Sequence, residues 1–235
     1  MKQESEPKPL FKVTLMRHEK TAYTGVYPDI TNEGLKRGEE TGRRIKEERL
    51  DDEDELYLLS SPSERAVGTL DIVTKSAGIS AEKNTIDQLR PTDVHNAEEA
   101  QKKFSSFGGV QEEIAKAHHT DDFFETRPDV LEPHSQKKKR LYRALEYFIR
   151  YVEKRENDPR IPHAIAVSHG EILNHLIDDV FGVETIGRYN TPSYGEVVYI
   201  DAYTTGDRDS VRLKIKYEGN EKEVLFNRKS RSIEQ

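Results

Sequence analysis

Phe11-Lys12-Val13-Thr14-Leu15-Met16-Arg17-His18-Glu19 is the stretch from which the rest of the chain is read. Its first six residues are apolar-rich and β-prone, and they break at Arg17-His18-Glu19 as a buried strand breaks into a loop. In an open α/β sheet, ligands sit beyond the carboxyl ends of the strands, so side chains at such a break are candidates for chemistry. The theme recurs downstream. Thr31, in Asp29-Ile30-Thr31-Asn32-Glu33-Gly34, is an N-cap, and Leu35, Gly38, Thr41, Gly42 and Ile45 follow at helical spacing to about Glu48. Leu56-Tyr57-Leu58-Leu59-Ser60 is a second strand. Pro62 then sits where a first helical turn accepts proline, and the helix runs to about Ser76 with Gly78 as its stop. Asn84-Thr85-Ile86 is a third strand, leading into Leu89-Arg90-Pro91-Thr92-Asp93. Ala164-Ile165-Ala166-Val167-Ser168 is a fourth, broken at His169-Gly170 before a helix from Glu171 to Val180.

Strands alternating with helices predict a three-layer α/β sandwich, with a mostly parallel central sheet flanked by helices. Lys139 to Glu156 reads as an amphipathic helix with Leu141, Leu145, Phe148, Ile149 and Val152 on one face. Gly195–Ile200 and Val211–Tyr217 alternate as strands of a hairpin or edge. Between about residues 95 and 138 the pattern is polar and helical only in patches, and it reads as a cap inserted into one domain spanning 10–225. Residues 1–9 are expected to be a disordered leader and residues 226–235 a flexible tail. The acidic run Asp51 to Glu55 reads as a solvated turn, because consecutive carboxylates repel one another.

Composition narrows the chemistry. The 235 residues carry 37 Lys+Arg and 44 Asp+Glu, a net charge of −7, and 34% of residues are hydrophobic. That balance argues against nucleic acid as a partner, since phosphate neutralisation needs an excess of Lys and Arg. The chain has no cysteine, which removes disulfides, thiolate metal sites and cysteine nucleophiles. No apolar run reaches spanning length and the N-terminus has no signal-like core, so a cytoplasmic protein without a membrane partner is expected. Nothing in the sequence sets an oligomeric state.

The residues at the strand ends form a consistent set. Arg17 and His18 follow the first strand, Arg65 follows the second, and His169 with Gly170 follows the fourth. Two arginines and two histidines make a cationic pocket in an acidic protein, and the planar guanidinium fork suits phosphoryl oxygens. A neutral histidine can act as nucleophile, so His18 is expected to take a phosphoryl group and pass it to water. His169 would stabilise the transferring charge, and amides at the start of the Glu171 helix add donors. No metal or cofactor is expected: adjacent His118 and His119, with Asp121 and Asp122, point apart and have no matching partner.

These residues carry a resemblance. Arg17-His18-Glu19-Lys20-Thr21, Thr31-Asn32-Glu33-Gly34, Ser60-Ser61-Pro62-Ser63-Glu64-Arg65-Ala66 and Val167-Ser168-His169-Gly170-Glu171 stand in family order, and together they resemble the histidine phosphatase, or phosphoglycerate-mutase-like, superfamily. The resemblance implies His18 as the phosphorylated nucleophile, with Arg17, Arg65 and His169 on the phosphoryl group. It places Thr21 and Thr24 at further polar contacts. It departs from the family at Glu19, where a glycine is usual, and at Pro91, where a related branch places its acidic proton donor. Asp93 is the first choice for that general acid, with Glu171 and Glu98 behind it. The leading expectation is a metal-independent phosphatase acting on a small phosphomonoester. Phosphoglycerate mutase ranks lower, because Tyr23-Thr24 stands where the mutases carry Trp-Asn and their Arg-His-Tyr-Gly segment is missing. A non-catalytic phospholigand-binding member is the third reading.

Overall fold

The computed structural model describes residues 7–22, 29–108, 117, 121–155, 158–182 and 192–234. Its frame is an eight-stranded sheet with β1 (Phe11–Arg17) near the centre. On one side of β1 lie β6 (Ile161–Ser168), β4 (Asp54–Ser60) and β5 (Lys83–Thr85), all parallel to it. On the other lie β7 (Val197–Thr204), β8 (Ser210–Tyr217), β9 (Asn220–Asn227) and β10 (Ser232–Glu234), each antiparallel to its neighbour. The sheet is therefore mixed, not mostly parallel. The reason is connection length: the links from β7 to β9 are short turns, which join only antiparallel strands, whereas β1, β4 and β6 are joined through helices. A separate two-residue pair, β2 (Thr21–Ala22) and β3 (Asp29–Ile30), sits outside the sheet.

Both faces of the parallel half are covered. Met16, Leu58, Ile165 and Val167 pack against α1 (Asn32–Arg49) and α2 (Glu64–Ala77), through Ile45, Ala66, Leu70 and Val73. Phe11, Val13 and Leu15 face the other layer, built from α5 (His134–Glu153) and α6 (Gly170–Phe181). That second core continues under β8 and β9 through Leu213, Ile215, Val224 and Phe226. The helix starts follow local chemistry: the Thr31 hydroxyl accepts from Gly34 N, and Gly78, with φ 71, ends α2 in the left-handed region. At Gly42 a Cβ would lie 2.4 Å from the Val73 carbonyl oxygen, so α1 and α2 approach closely only with glycine there.

The structure corrects several expected boundaries. Phe226 is buried and β10 pairs with β9, so residues 226–234 pack on or join the sheet instead of forming a flexible tail. The acidic run is a turn only through its first half. Asp54 opens β4, is buried, and pairs with Lys12 Nζ at 2.8 Å and His163 Nδ1 at 2.9 Å. The helix expected from Lys139 begins at His134, so Lys137 and Arg140 are buried within it. The segment ahead of it, with α3 (Ala97–Ser105) and the single turn α4 (Phe123–Thr126), closes around its own small cluster of Ala100, Phe124, Val130 and Leu131. Residues 1–6 of the expected leader lie outside the described residues. Among the described residues no helix is long and apolar enough to cross a membrane.

Candidate active site

The parallel register brings the strand ends together. Arg17 of β1 pairs with Ser168 of β6, and the amide of His18 donates to Ser168 O at 2.9 Å, so the chain leaves both strands side by side. The His18 and His169 rings meet edge to face, with centroids 5.0 Å apart. Ser61, just past β4, is locked to the same place by its amide on Val167 O at 2.8 Å. Arg65, in the first turn of α2, reaches His169: its Nη2 donates to Nδ1 at 3.2 Å. His18, Arg17, Arg65 and His169 thus converge as the sequence predicts.

The hydrogen bonds assign the protons. His18 Nδ1 lies 2.8 Å from the carbonyl oxygen of Glu19, which only accepts, so Nδ1 carries the hydrogen and Nε2 carries the lone pair. His169 accepts from Arg65 at Nδ1 and therefore donates from Nε2 to the Ser61 hydroxyl at 2.9 Å. Burial pushes both imidazoles down to about 3, and each is further opposed by nearby positive charge from Arg65 and Arg17. His18 is therefore a neutral base with an open nitrogen. Arg17 is half-buried against Tyr194, whose ring centroid lies 3.9 Å from the guanidinium carbon, and donates from Nη1 to Pro192 O. Its buried Nε has no hydrogen-bond partner among the described residues. Burial also lowers the Arg17 pKa, which still leaves the group a cation at neutral pH.

The remaining predicted residues divide. Gly170 is the first residue of α6, directly after His169 as its N-cap, whose carbonyl oxygen accepts from Ile172 N at 3.0 Å. Thr21 stands on β2 opposite Ile30. Thr24 lies outside the described residues. Asp93 is gripped by Arg90, with Nη2 at 2.6 Å and Nε at 3.0 Å, and that fork holds its carboxyl below the usual range. Such a carboxylate is ionised at neutral pH, which opposes the donor role expected of it. Glu98 is exposed in the first turn of α3. Glu171, in the first turn of α6, accepts from Thr92 N at 3.3 Å and is among the charges that act on Arg17.

Sequence reasoning missed the supports. Tyr194 covers Arg17 and lies 5.6 Å from the His18 ring, yet it sits after a stretch with no strand signal. Arg140 clamps the loop between β5 and α3, donating to Gln88 O at 2.9 Å and Arg90 O at 2.8 Å while paired with Glu132 at 2.7 Å. In sequence it belongs to the run Lys137-Lys138-Lys139-Arg140, which hides it as a solvated helix start.

A family model described as the histidine phosphatase superfamily, branch 1, matches residues 13–213. A search of curated proteins finds no match. Among solved structures, the fold is shared with a mycobacterial glucosyl-3-phosphoglycerate phosphatase at 14% identity and TM-score 0.60, covering 88% of this chain and 97% of that one. Phosphoglycerate mutase from Bacillus anthracis str. Sterne matches at 15% identity and TM-score 0.59, covering 89% and 93%. The protein histidine phosphatase SixA, solved with tungstate, matches at 12% identity and TM-score 0.52, covering 94% and 99%. These similarities concern the fold.

Proposed function

Because the chain belongs to branch 1 of the histidine phosphatase superfamily, we propose that it hydrolyses a small phosphomonoester through a phosphohistidine on His18. The observation that carries the reading is the state of His18. It is neutral, its Nδ1–H is held by the Glu19 carbonyl, which leaves the Nε2 lone pair for chemistry, and its ring lies against His169, with Arg65 on that second ring and both Arg65 and Arg17 near enough to act on its charge. The solved relatives hold anions of the right kind: one is a complex with tungstate and another with inorganic phosphate.

The steps follow from this geometry. Nε2 attacks phosphorus, the nitrogen–phosphorus bond forms as the ester bond to the leaving oxygen breaks, and Arg17 Nε and Arg65 hold the equatorial oxygens, while His169, fixed by Ser61, steadies Arg65 through Nδ1. The leaving oxygen needs a proton. We assign that donor to Glu171, because α6 seats it two residues beyond His169 and Thr92 N orients it, whereas both carboxylate oxygens of Asp93 are taken up by Arg90. Glu171 then takes a proton from water as water attacks phosphorus. The nitrogen–phosphorus bond breaks, its electron pair returns to Nε2, and phosphate departs. The segment ahead of α5, with its own apolar cluster, is the part of the chain we assign to selecting the leaving group. A cytoplasmic location belongs to the same reading.

Phosphate release from a panel of phosphomonoesters tests it, with interconversion of 2- and 3-phosphoglycerate assayed in parallel. Hydrolysis that His18→Ala abolishes is the expected result. Interconversion without net hydrolysis would make the protein a mutase, and binding with no rate at all would make it a phospholigand binder.

A further inference from the structure

Glu19 stands where the family pattern has glycine, and its side chain is entirely buried. A buried carboxylate is expensive unless it is paired, so its presence beside the nucleophile calls for a physical reason. Its amide, its carbonyl and one carboxylate oxygen are engaged, while Oε1 is buried with no hydrogen-bond partner among the described residues. Its amide donates to the Thr69 hydroxyl at 2.9 Å, and that hydroxyl donates to Arg65 O at 2.7 Å. Its carbonyl oxygen holds His18 Nδ1. Its Oε2 accepts from Arg37 Nε at 2.8 Å, with Nη2 also at 2.8 Å. Its Oε1 lies under the loop that carries Tyr194: a Cβ at Gly195, whose φ is +74, would be 2.1 Å from it. Residue 19 thus ties the nucleophile to α1, to α2 and to the Tyr194 loop at once.

We propose that Glu19 is a positioning residue for His18, acting through its ion pair with Arg37 on α1. The proposal rests on His18 being the nucleophile. A glycine at this place leaves the peptide plane free to tilt, and the carbonyl that holds Nδ1–H tilts with it. The Glu19–Arg37 pair removes that freedom from outside the pocket, so the imidazole keeps one tautomer and presents Nε2 to the phosphoryl group. Burial raises the Glu19 pKa while the hydrogen bond and charge of Arg37 oppose that rise. Arg37 is one-third exposed, so it stays solvated when its partner is changed.

Three variants test this: Glu19→Gln, which keeps the shape, the double change Glu19→Gln with Arg37→Met, which leaves no charge unpaired, and Glu19→Gly, which restores the family residue. Each is measured for kcat, for KM, and for the His18 tautomer by ring-nitrogen NMR. The expected result is a fall in kcat of roughly tenfold to a hundredfold with KM nearly unchanged, and loss of the single Nδ1–H tautomer. Wild-type kcat together with an unchanged tautomer in the folded variants would overturn the proposal. A wild-type protein that forms no phosphohistidine would instead overturn the nucleophile reading, and the NMR arm still decides what Glu19 does to the ring.

Discussion

Two groups of buried histidine lie at opposite ends of the parallel strands, and β1 contributes to both. At the carboxyl ends, His18 and His169 meet with Arg17 and Arg65. Toward the amino ends, His163 of β6 takes the Thr14 hydroxyl at Nε2, 2.8 Å away, and the Asp54 carboxylate at Nδ1, 2.9 Å away, with Lys12 neutralising Asp54. Burial lowers the pKa of all three imidazoles. They differ in what is left open. Both nitrogens of His163 are spent on the protein, whereas His18 spends one and keeps Nε2 for chemistry. An Asp–His–Thr line is therefore no sign of catalysis when it lies shut between strands, and burial alone does not separate a structural histidine from a reactive one.

Replacing the two histidines should separate the roles completely. His18→Ala should lower turnover on the order of 10⁴-fold or more while thermal stability stays near wild type, as steady-state rates and a melting curve would show. His163→Ala should do the reverse. It leaves Asp54 and Thr14 buried without their partner and should cost about 3 kcal/mol by denaturant unfolding, with the rate per folded molecule retained. Equal losses of rate in both variants would break the contrast.

Smaller effects sharpen the same contrast. Glu171→Gln should slow hydrolysis of alkyl phosphates roughly a hundredfold and of aryl phosphates with good leaving groups much less, whereas Asp93→Asn should show no such dependence on the leaving group. A rate profile in which Asp93→Asn carries that dependence would return the proton-donor role to Asp93. Acidity comes next. The unfolded chain protonates its histidines near 6.5, and the native values lie lower, so the unfolded state binds more protons below that pH. Stability should be full above about 6.5 and fall as pH drops toward the native values of about 3 for His18 and His169. Melting curves from pH 7 to pH 4, in wild type and in His163→Gln, would show it.

Much of this was legible because the site residues interrupt apolar strands. Arg17, His18 and His169 are visible as charges where a run of buried residues stops, and Arg65 stands out after Ser60-Ser61-Pro62. The helices of α1 and α2 declare their ends through Thr31 and Gly78. The antiparallel half was harder, because Glu221-Lys222-Glu223 of β9 faces Lys214, Lys216 and Arg212 across β8 and reads as solvated chain, although Val224 and Phe226 complete a core. Asp54 and His163 could not be paired from the sequence: the register of β4 on β6 makes them neighbours across 109 positions. The Arg90 contact of Asp93 was hidden for a related reason. A carboxylate in the right loop looks free until the Arg90 fork three residues earlier is seen to close on it.

The central claim is that phosphate rests on His18 during turnover. Rapid acid-free quenching of the enzyme with a turning-over phosphomonoester, followed by peptide mapping, tests it most directly. The account predicts acid-labile phosphate on the peptide containing His18, present during turnover and missing in His18→Ala. Steady hydrolysis with the phosphate on another residue, or with no phosphoprotein at any time, would contradict it.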